Sequence, residues 1–140
     1  MITDLASNFY ANPGSLRVVS EWLTEQCGIL AVNPKLSNRI SVCFNETVAN
    51  LIEHNQSLSE SSVLSLRVSC KPADSVLEVQ VIDTGTPFNP FVMSASPLPS
   101  TLDEARIGGV GLLLIKKLTS ACEYYTTSSL QNILSMTFSY

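Results

Sequence analysis

The chain has 140 residues, of which 45% are apolar and only 14% are charged. This length and composition favour one globular domain with its own core, over residues 1–140, and exclude a disordered chain. The formal charge of −4 disfavours nucleic acid as a ligand, because a phosphate backbone requires many basic groups. The longest apolar run, around Val110 to Ile115, is too short to span a bilayer, so we expect no membrane contact.

The cysteines and the N-terminal residues indicate the cellular compartment. Cys27, Cys43, Cys70 and Cys122 are widely spaced and form no Cys-x-x-Cys pair. This spacing favours reduced, buried thiols over a zinc site or a disulfide framework. The first four residues have neither the basic nor the apolar segment of a signal peptide. We therefore expect a cytoplasmic protein.

Two helices are predicted in the first part of the chain. The pair Asn12-Pro13 is typical of an N-cap followed by proline at the first helical position, and apolar residues then recur at helical spacing up to Gly28. A second helix is predicted from about Pro34 to His54. Its apolar stripe consists of Ile40, Cys43, Phe44, Val48, Leu51 and Ile52.

Alternating apolar and polar residues then predict two strands, at 64–70 and 77–81, joined by a loop of turn-forming residues. Prolines and glycines exclude regular structure between Thr84 and Gly109. A loop of this length inside a compact domain is often functional.

A third helix is predicted from near Gly109 to about Ala121, followed by strands around 122–126 and 133–140. The predicted order is helix, helix, strand, strand, loop, helix, strand, strand. Hairpin strands with helices between them predict an α+β fold, a two-layer sandwich of helices on a mostly antiparallel sheet.

A polar stripe, Glu46-x-x-x-Asn50-x-x-x-His54, follows one side of the second predicted helix, because residues four apart stack on the same side. The common explanation is a solvated flank of the helix. The functional explanation is a carboxylate, an amide oxygen and an imidazole directed into one cleft. A nucleotide-bound Mg²⁺ ion needs only one or two protein oxygens, and a nearby carboxylate can accept a hydroxyl proton.

The second motif is an apolar strand that ends in Asp83-Thr84-Gly85-Thr86-Pro87-Phe88. An aspartate at the end of a strand is commonly a turn former. A sharper alternative is the half-site of a dimeric aspartic protease, in which two such carboxylates share a proton across a two-fold axis. That alternative leaves the helical stripe without a role, and such proteases usually carry Ala or Ser where this chain has Thr86.

The third motif, Arg106-Ile107-Gly108-Gly109-Val110-Gly111-Leu112, leads into the third predicted helix. Glycines permit close approach to the backbone, and a helix N-terminus offers free N–H groups and a partial positive charge, which together favour an anion. The segment lacks the Gly-Lys-Ser/Thr of a Walker A loop. Taken alone, it fits a flexible loop equally well.

In chain order, the three motifs resemble those of the Bergerat-fold (GHKL) ATPases, and in particular the small anti-sigma-factor serine kinases. The stripe resembles the N box, Asp83-x-Gly85-x-Pro87-Phe88-Asn89-Pro90 the first glycine box, and Gly108-Gly109-Val110-Gly111-Leu112 the second. The resemblance extends from about Leu16 to Phe138. The chain departs from the family after His54, where Asn55-Gln56 replace a small residue and an aromatic.

This resemblance implies roles around ATP and Mg²⁺. Asp83 would accept a hydrogen bond from the adenine amino group, Gly85 would leave room for the ring, and Thr137 would lie beside it. Asn50 would coordinate Mg²⁺ that bridges the phosphates, and Glu46 would take the proton from a substrate serine. The other implied nucleotide contacts come from the three boxes and a lid over about 89–107, and they are His54, Pro87, Phe88, Arg106, Gly108, Gly109, Val110, Gly111 and Leu112.

By the same resemblance, the protein would be an ATP-dependent serine kinase and anti-sigma factor. It would sequester a sigma factor, phosphorylate a serine of a STAS-domain anti-anti-sigma antagonist, and form a homodimer. The alternative within the same fold is an ATP-dependent binding module that transfers no phosphate. The carboxylate of Glu46 favours the kinase, because a binding module has no evident need for it.

Overall fold

The computed structural model describes residues 3–92 and 110–140. The elements of these residues are strand β1 (Thr3–Tyr10), helices α1 (Pro13–Ile29) and α2 (Pro34–His54), strands β2 (Val63–Lys71) and β3 (Val76–Asp83), helix α3 (Val110–Leu118), and strands β4 (Ala121–Thr126) and β5 (Asn132–Ser139). Two short 3-10 turns, Pro72–Asp74 and Pro90–Val92, accompany them. Most of the predicted lid, from residue 93 to residue 107, lies outside the described residues.

The strands of the described residues form one antiparallel sheet in the order β1-β2-β3-β5-β4. In β2 and β3, every second residue is buried. One face of the sheet therefore packs on the helices, while the other face is more exposed. The predicted α+β fold, with helices on an antiparallel sheet, is confirmed.

Strand β1 was not predicted from the sequence. Its inward-facing residues are Thr3, Leu5, Ser7 and Phe9, and only Phe9 is buried. Two of these four are polar, so the alternation that identifies a strand is weak. The strand forms nonetheless, because all eight residues pair with β2.

Both long helices begin with a capped N-terminus. The Oδ1 atom of Asn12 accepts a hydrogen bond from the N–H of Ser15 at 2.9 Å, and Oδ1 of Asn33 accepts one from the N–H of Leu36 at 2.8 Å. In each helix a proline follows the cap, where its missing N–H removes no helical bond. The predicted bounds of the second helix, Pro34 to His54, are confirmed.

The core lies between the sheet and the helices. The ring of Phe44 on α2 is fully buried and meets Phe9 of β1 edge to face, with the ring centroids 6.1 Å apart. The predicted apolar stripe of α2 is buried except at Ile52, which is half-buried. Other large side chains that are fully buried are Leu23, Leu64, Leu66, Leu77, Ile115, Leu134, Met136 and Phe138.

The four cysteines are free thiols, of which Cys27, Cys43 and Cys70 are buried and Cys122 is half-buried. Burial raises the pKa of the Cys27 thiol and raises the pKa of Cys43 to about 11, because a thiolate is poorly solvated in apolar surroundings. Within residues 3–92 and 110–140, no group of three His, Cys, Asp or Glu side chains could hold a metal ion. In the same ranges, no helix combines the length and the apolarity needed to cross a membrane.

We expect Phe44→Ala to lower the free energy of unfolding by about 3–5 kcal/mol, because the change removes a fully buried ring and leaves a cavity. Urea unfolding followed by circular dichroism measures the loss. Val42→Ala on the same helix, where the side chain is 39% exposed, is the matched control and should change stability by less than about 0.5 kcal/mol. Equal effects of the two substitutions would contradict the packing of α2.

Candidate functional site

The candidate site lies where β3 ends and β5 begins. The antiparallel register pairs Asp83, the last residue of β3, with Asn132, the first residue of β5. Asp83 is 3% exposed and Asn132 is 1% exposed. Both belong to the alternating set that faces the helices, together with Val81 and Leu134. A carboxylate and an amide therefore meet at one end of the sheet, against the helix layer.

The carboxylate of Asp83 is held by one of its two oxygens. Its Oδ1 accepts hydrogen bonds from the backbone N–H of Gly85 at 2.8 Å and from Nδ2 of Asn132 at 2.9 Å. Among the residues that the structure describes, no donor bonds to Oδ2. A buried carboxylate with one fixed and one available oxygen is an acceptor suited to an N–H group of a ligand.

Asn132 connects the end of the sheet to the turn that follows β3. Its Nδ2 also donates to the carbonyl oxygen of Gly85 at 2.8 Å, and its Oδ1 accepts a hydrogen bond from the hydroxyl of Thr126 at 2.9 Å. The turn at Gly85 is thus held to β5 through both the carboxylate of Asp83 and a backbone carbonyl.

Gly85 is in close contact with the segment that follows α2. A Cβ atom added to Gly85 would lie 2.7 Å from Oγ of Ser57 and 3.2 Å from Cδ2 of Leu58. The first of these distances is shorter than a side chain tolerates without a shift of its neighbour. A residue without a Cβ atom is therefore needed for the two segments to approach this closely.

The segment after α2 clamps the same turn with hydrogen bonds. Nδ2 of Asn55 donates a hydrogen bond to the carbonyl of Thr86 at 3.2 Å, and Oγ of Ser57 accepts a hydrogen bond from the N–H of Thr86 at 3.0 Å. Oδ1 of Asn55 in turn accepts from the N–H and the hydroxyl of Ser57, at 3.1 and 2.6 Å. The C-terminal end of α2 is thereby fixed to the turn after β3.

Two contacts set the direction of α2 over the sheet. The hydroxyl of Thr47 contacts Sδ of Met136 on β5 at 3.4 Å, whereas Asn55 reaches Thr86 beyond the end of β3. Asn50 lies on α2 between these two contact points. It is only 7% exposed, and its side chain forms no hydrogen bond with the other described residues. Its amide is therefore a candidate ligand group on this side of α2.

Glu46 and His54 lie one helical turn before and after Asn50. The side chain of Glu46 is exposed, and His54 is half-buried. His54 lines a cleft of about 470 Å³ together with Pro87, Phe88 and neighbouring residues. The structure thus brings one end of the helical stripe beside the motif that begins at Asp83.

A tyrosine fixes the chain just beyond this cleft. The hydroxyl of Tyr124 on β4 accepts a hydrogen bond from the N–H of Phe88 at 2.8 Å. Oδ1 of Asn89 then accepts the N–H of Phe91 at 2.9 Å, and Phe91 is buried in the core. The Pro-Phe-Asn-Pro sequence is therefore anchored to both the sheet and the core.

The structure describes only the last part of the glycine-rich third motif. Val110-Gly111-Leu112 forms the first turn of α3, which packs on α2. The predicted site residues Arg106, Gly108 and Gly109 lie outside the described residues.

Thr137 is not part of this site, contrary to the prediction. It pairs with Glu78 near the opposite end of β5 from Asn132. Because its neighbours Met136 and Phe138 are buried against the helices, Thr137 faces the other side of the sheet. Asn132, and not Thr137, is the residue of β5 that pairs with Asp83.

Comparisons with known proteins identify the family to which this chain belongs. The chain matches the histidine kinase-like ATPase domain over residues 9–138. It belongs to that family. Membership of an ATPase family implies ATP binding, and it favours the nucleotide-binding interpretation of Asp83-Thr84-Gly85 over the protease half-site.

Individual relatives of this histidine kinase-like ATPase domain are distant. The serine/threonine-protein kinase BtrW of Bordetella bronchiseptica is 22% identical over 90 residues, which cover 64% of this chain and 62% of BtrW. The match therefore spans less than two thirds of BtrW.

Two solved structures share the fold of the domain. A chain of the SiaB–SiaC complex from Pseudomonas aeruginosa superposes with a TM-score of 0.61 and 12% identity, covering 97% of this chain and 89% of that one. The structure of the RsbU and RsbW domains of Rv1364c from Mycobacterium tuberculosis gives a TM-score of 0.65 and 17% identity, covering 98% of this chain and 32% of that one. The predicted resemblance to the GHKL ATPases is confirmed.

Sequence reasoning missed four residues of the candidate site in this ATPase domain, namely Asn55, Ser57, Tyr124 and Asn132. One signal was present for Asn55, because it stands where the chain departs from the family pattern. The positions of Asn132 and Tyr124 depend on strand register, and that of Ser57 depends on the path of the chain after α2. A local sequence pattern reveals neither of these.

We expect Gly85→Ala to destabilise the domain by about 1–3 kcal/mol, because the new methyl group displaces Oγ of Ser57 from its two partners. Ser57→Ala removes the obstructing oxygen, so the double variant should lose less stability than the sum of the two single variants. Urea unfolding of the four proteins measures this coupling, and strict additivity would contradict the contact. Gly28→Ala is the control, since its Cβ would meet no atom within 4 Å.

Proposed function

We propose that this protein is an ATP-dependent serine kinase of the anti-sigma-factor type. It would sequester a sigma factor and phosphorylate a serine of a STAS-type anti-anti-sigma antagonist. The observation that carries the proposal is the meeting of two motifs at one end of the sheet. The buried carboxylate of Asp83 lies on the turn to which the C-terminal end of α2 is bonded, and that helix carries Glu46 and Asn50.

In this proposal, the adenine of ATP binds at Asp83. Oδ2 of Asp83 accepts a hydrogen bond from the exocyclic amino group, since Oδ1 already accepts hydrogen bonds from two N–H donors. Gly85 keeps the backbone at the turn free of a side chain, and His54, Pro87 and Phe88 border the adjoining cleft. This arrangement of a buried acceptor beside an open cleft fits a flat base with one N–H donor.

The phosphates extend toward the N-terminal end of α3. Gly111 lies in its first turn, where backbone N–H groups and the helix dipole favour negative charge. We assign Arg106, Gly108, Gly109, Val110 and Leu112 to the same phosphate-binding segment, as the family resemblance implies, and residues 89–107 to a lid.

Asn50 is the proposed protein ligand for Mg²⁺. Its side chain is nearly buried yet unbonded to the other described residues, and an amide oxygen is a suitable ligand for this hard cation. When bound, Mg²⁺ neutralises phosphate charge. A single amide ligand from the protein suits an ion that binds together with a nucleotide, because phosphate oxygens and water would supply its other ligands.

Glu46 is the proposed general base. Its carboxylate is exposed, so a serine on the surface of a protein substrate can approach it, and it lies one helical turn from Asn50. The serine oxygen forms a bond to the γ-phosphorus, the bond from that phosphorus to ADP breaks, and the serine proton passes to Glu46. Phosphoryl transfer depends on such positioning and charge neutralisation more than on covalent catalysis by the protein.

The finer parts of the proposal concern partners and location. The named kinase activity of BtrW supports phosphoryl transfer, and the resemblance of the three motifs to anti-sigma-factor kinases supports the sigma factor, the STAS antagonist and the homodimer. The free, mostly buried cysteines support the cytoplasmic location. The second candidate is an ATP-dependent binding module of the same fold, which would need no general base at Glu46.

Nucleotide binding is the first test. We expect Mg-ATP to raise the melting temperature of the protein by several degrees, and Asp83→Asn to weaken ATP binding at least about tenfold, because the amide places a donor against the adenine amino group. Isothermal titration with ATP measures the loss. Asp74→Asn, at an exposed aspartate, is the control. Undiminished ATP binding by Asp83→Asn would show that the adenine does not bind at Asp83.

Phosphoryl transfer is the second test. Labelled ATP, Mg²⁺ and a candidate STAS protein are incubated with the wild-type protein and with Glu46→Gln. We expect transfer to fall at least about 100-fold in Glu46→Gln, the range of a general base, while ATP affinity changes less than about threefold, because Glu46 contacts only the acceptor serine. Glu21→Gln on α1, also exposed, is the control. ATP binding without label on the STAS protein would favour the binding module.

A further inference from the structure

We propose that Asn132 is a positioning residue that makes the nucleotide site selective for adenine. It holds the carboxylate of Asp83 in the orientation that accepts an exocyclic amino group and rejects a base with a carbonyl in the same place. The inference rests on the proposed function, and it adds to that function the residue on which base selectivity depends.

The hydrogen-bonding capacity of Asn132 is committed within the protein. Its Nδ2 group has two hydrogens, and these are used by Oδ1 of Asp83 at 2.9 Å and by the carbonyl of Gly85 at 2.8 Å. Its Oδ1 accepts the hydroxyl of Thr126 at 2.9 Å. Asn132 is also 1% exposed. It therefore has no free donor for a ligand, and it acts on the base through Asp83.

These partners fix which way the amide of Asn132 points. In the opposite orientation, its oxygen would face the Asp83 carboxylate and the Gly85 carbonyl, which are both acceptors. The Nδ2 group would then face the hydroxyl of Thr126, the Gly85 carbonyl would lose its Asn132 donor, and Oδ1 of Asp83 would keep only the N–H of Gly85. Such losses are costly away from water, so the observed orientation is strongly preferred.

The fixed amide gives the two oxygens of Asp83 different roles. Oδ1 receives two N–H donors, which leaves Oδ2 as the oxygen that a ligand can reach. The amino group of adenine donates to such an oxygen, whereas the carbonyl of hypoxanthine places an acceptor against it. A buried polar group that is left facing an acceptor discriminates strongly between otherwise similar ligands.

The experiment compares ATP with inosine triphosphate, in which a carbonyl replaces the amino group at C6 of the base and N1 carries a hydrogen. Affinities of the full chain for both nucleotides are measured by isothermal titration for the wild type and for Asn132→Leu, a change that keeps side-chain size. We expect the wild type to prefer ATP at least about tenfold. Asn132→Leu should lower ATP affinity about tenfold or more and inosine triphosphate affinity less than about threefold.

A second variant allows the test to be made even if Asn132→Leu does not fold. Thr126→Val keeps the β-branched shape of an exposed residue and removes the hydroxyl that fixes the amide of Asn132. We expect it to lower the ratio of the two affinities about threefold. Asn8→Leu makes the same exchange as Asn132→Leu at an exposed position of β1 and should leave the ratio unchanged. If Asn132→Leu does not fold, Thr126→Val decides.

The ratio of affinities separates positioning from a merely structural role. A structural defect weakens both nucleotides alike, so an equal loss for ATP and inosine triphosphate, or an unchanged ratio in both variants, would overturn this inference and leave the proposed function standing. Failure of the wild type to bind either nucleotide would overturn the proposed function and the inference together.

Discussion

The pairing of β3 with β5 is the constraint on which the candidate site depends. It sets Asp83 opposite Asn132 and directs both side chains to the helix layer. A slip of one residue would turn one strand over relative to the other. The register is held by fully buried apolar residues of the same two strands, including Val81 and Leu134, which a slip would expose. The core therefore fixes the geometry of the polar site as well as the stability of the fold.

Helix α2 also contributes to the geometry of the candidate site, because one of its sides packs in the core and the adjacent side carries the polar stripe. One side is buried in the core through residues such as Phe44, which leaves little freedom in the rotation of the helix. Within the adjacent polar stripe, the side chain of Glu46 is therefore exposed to solvent, whereas that of Asn50 is nearly buried. The bonds from Asn55 and Ser57 to Thr86 fix the far end of the helix. Functional side chains on such a rigid element are held more accurately than on a loop.

The sequence predicted the parts of the fold and site that depend on local pattern. Both long helices follow from their caps and apolar stripes, and the fold class follows from the order of the elements. Strand β1 escaped prediction because polar Thr3 and Ser7 share its inward face with apolar residues. The prediction placed Thr137 beside the adenine, whereas the structure sets it near the other end of β5 from Asp83. This position depends on the register between strands that are far apart in sequence. Asn132 could only be found once the sheet was assembled.

The position of β5 within the sheet has a consequence for how the protein is made. This strand lies between β3 and β4, although it follows both in the sequence. A chain growing from its N-terminus therefore contains β1 to β3 and both long helices before the strand that completes the sheet exists. Until then, neither β3 nor Asp83 has its partner from β5. Contacts between such distant segments form late in folding. The candidate site, which includes Asn132, is therefore complete only after the last strand has been synthesised.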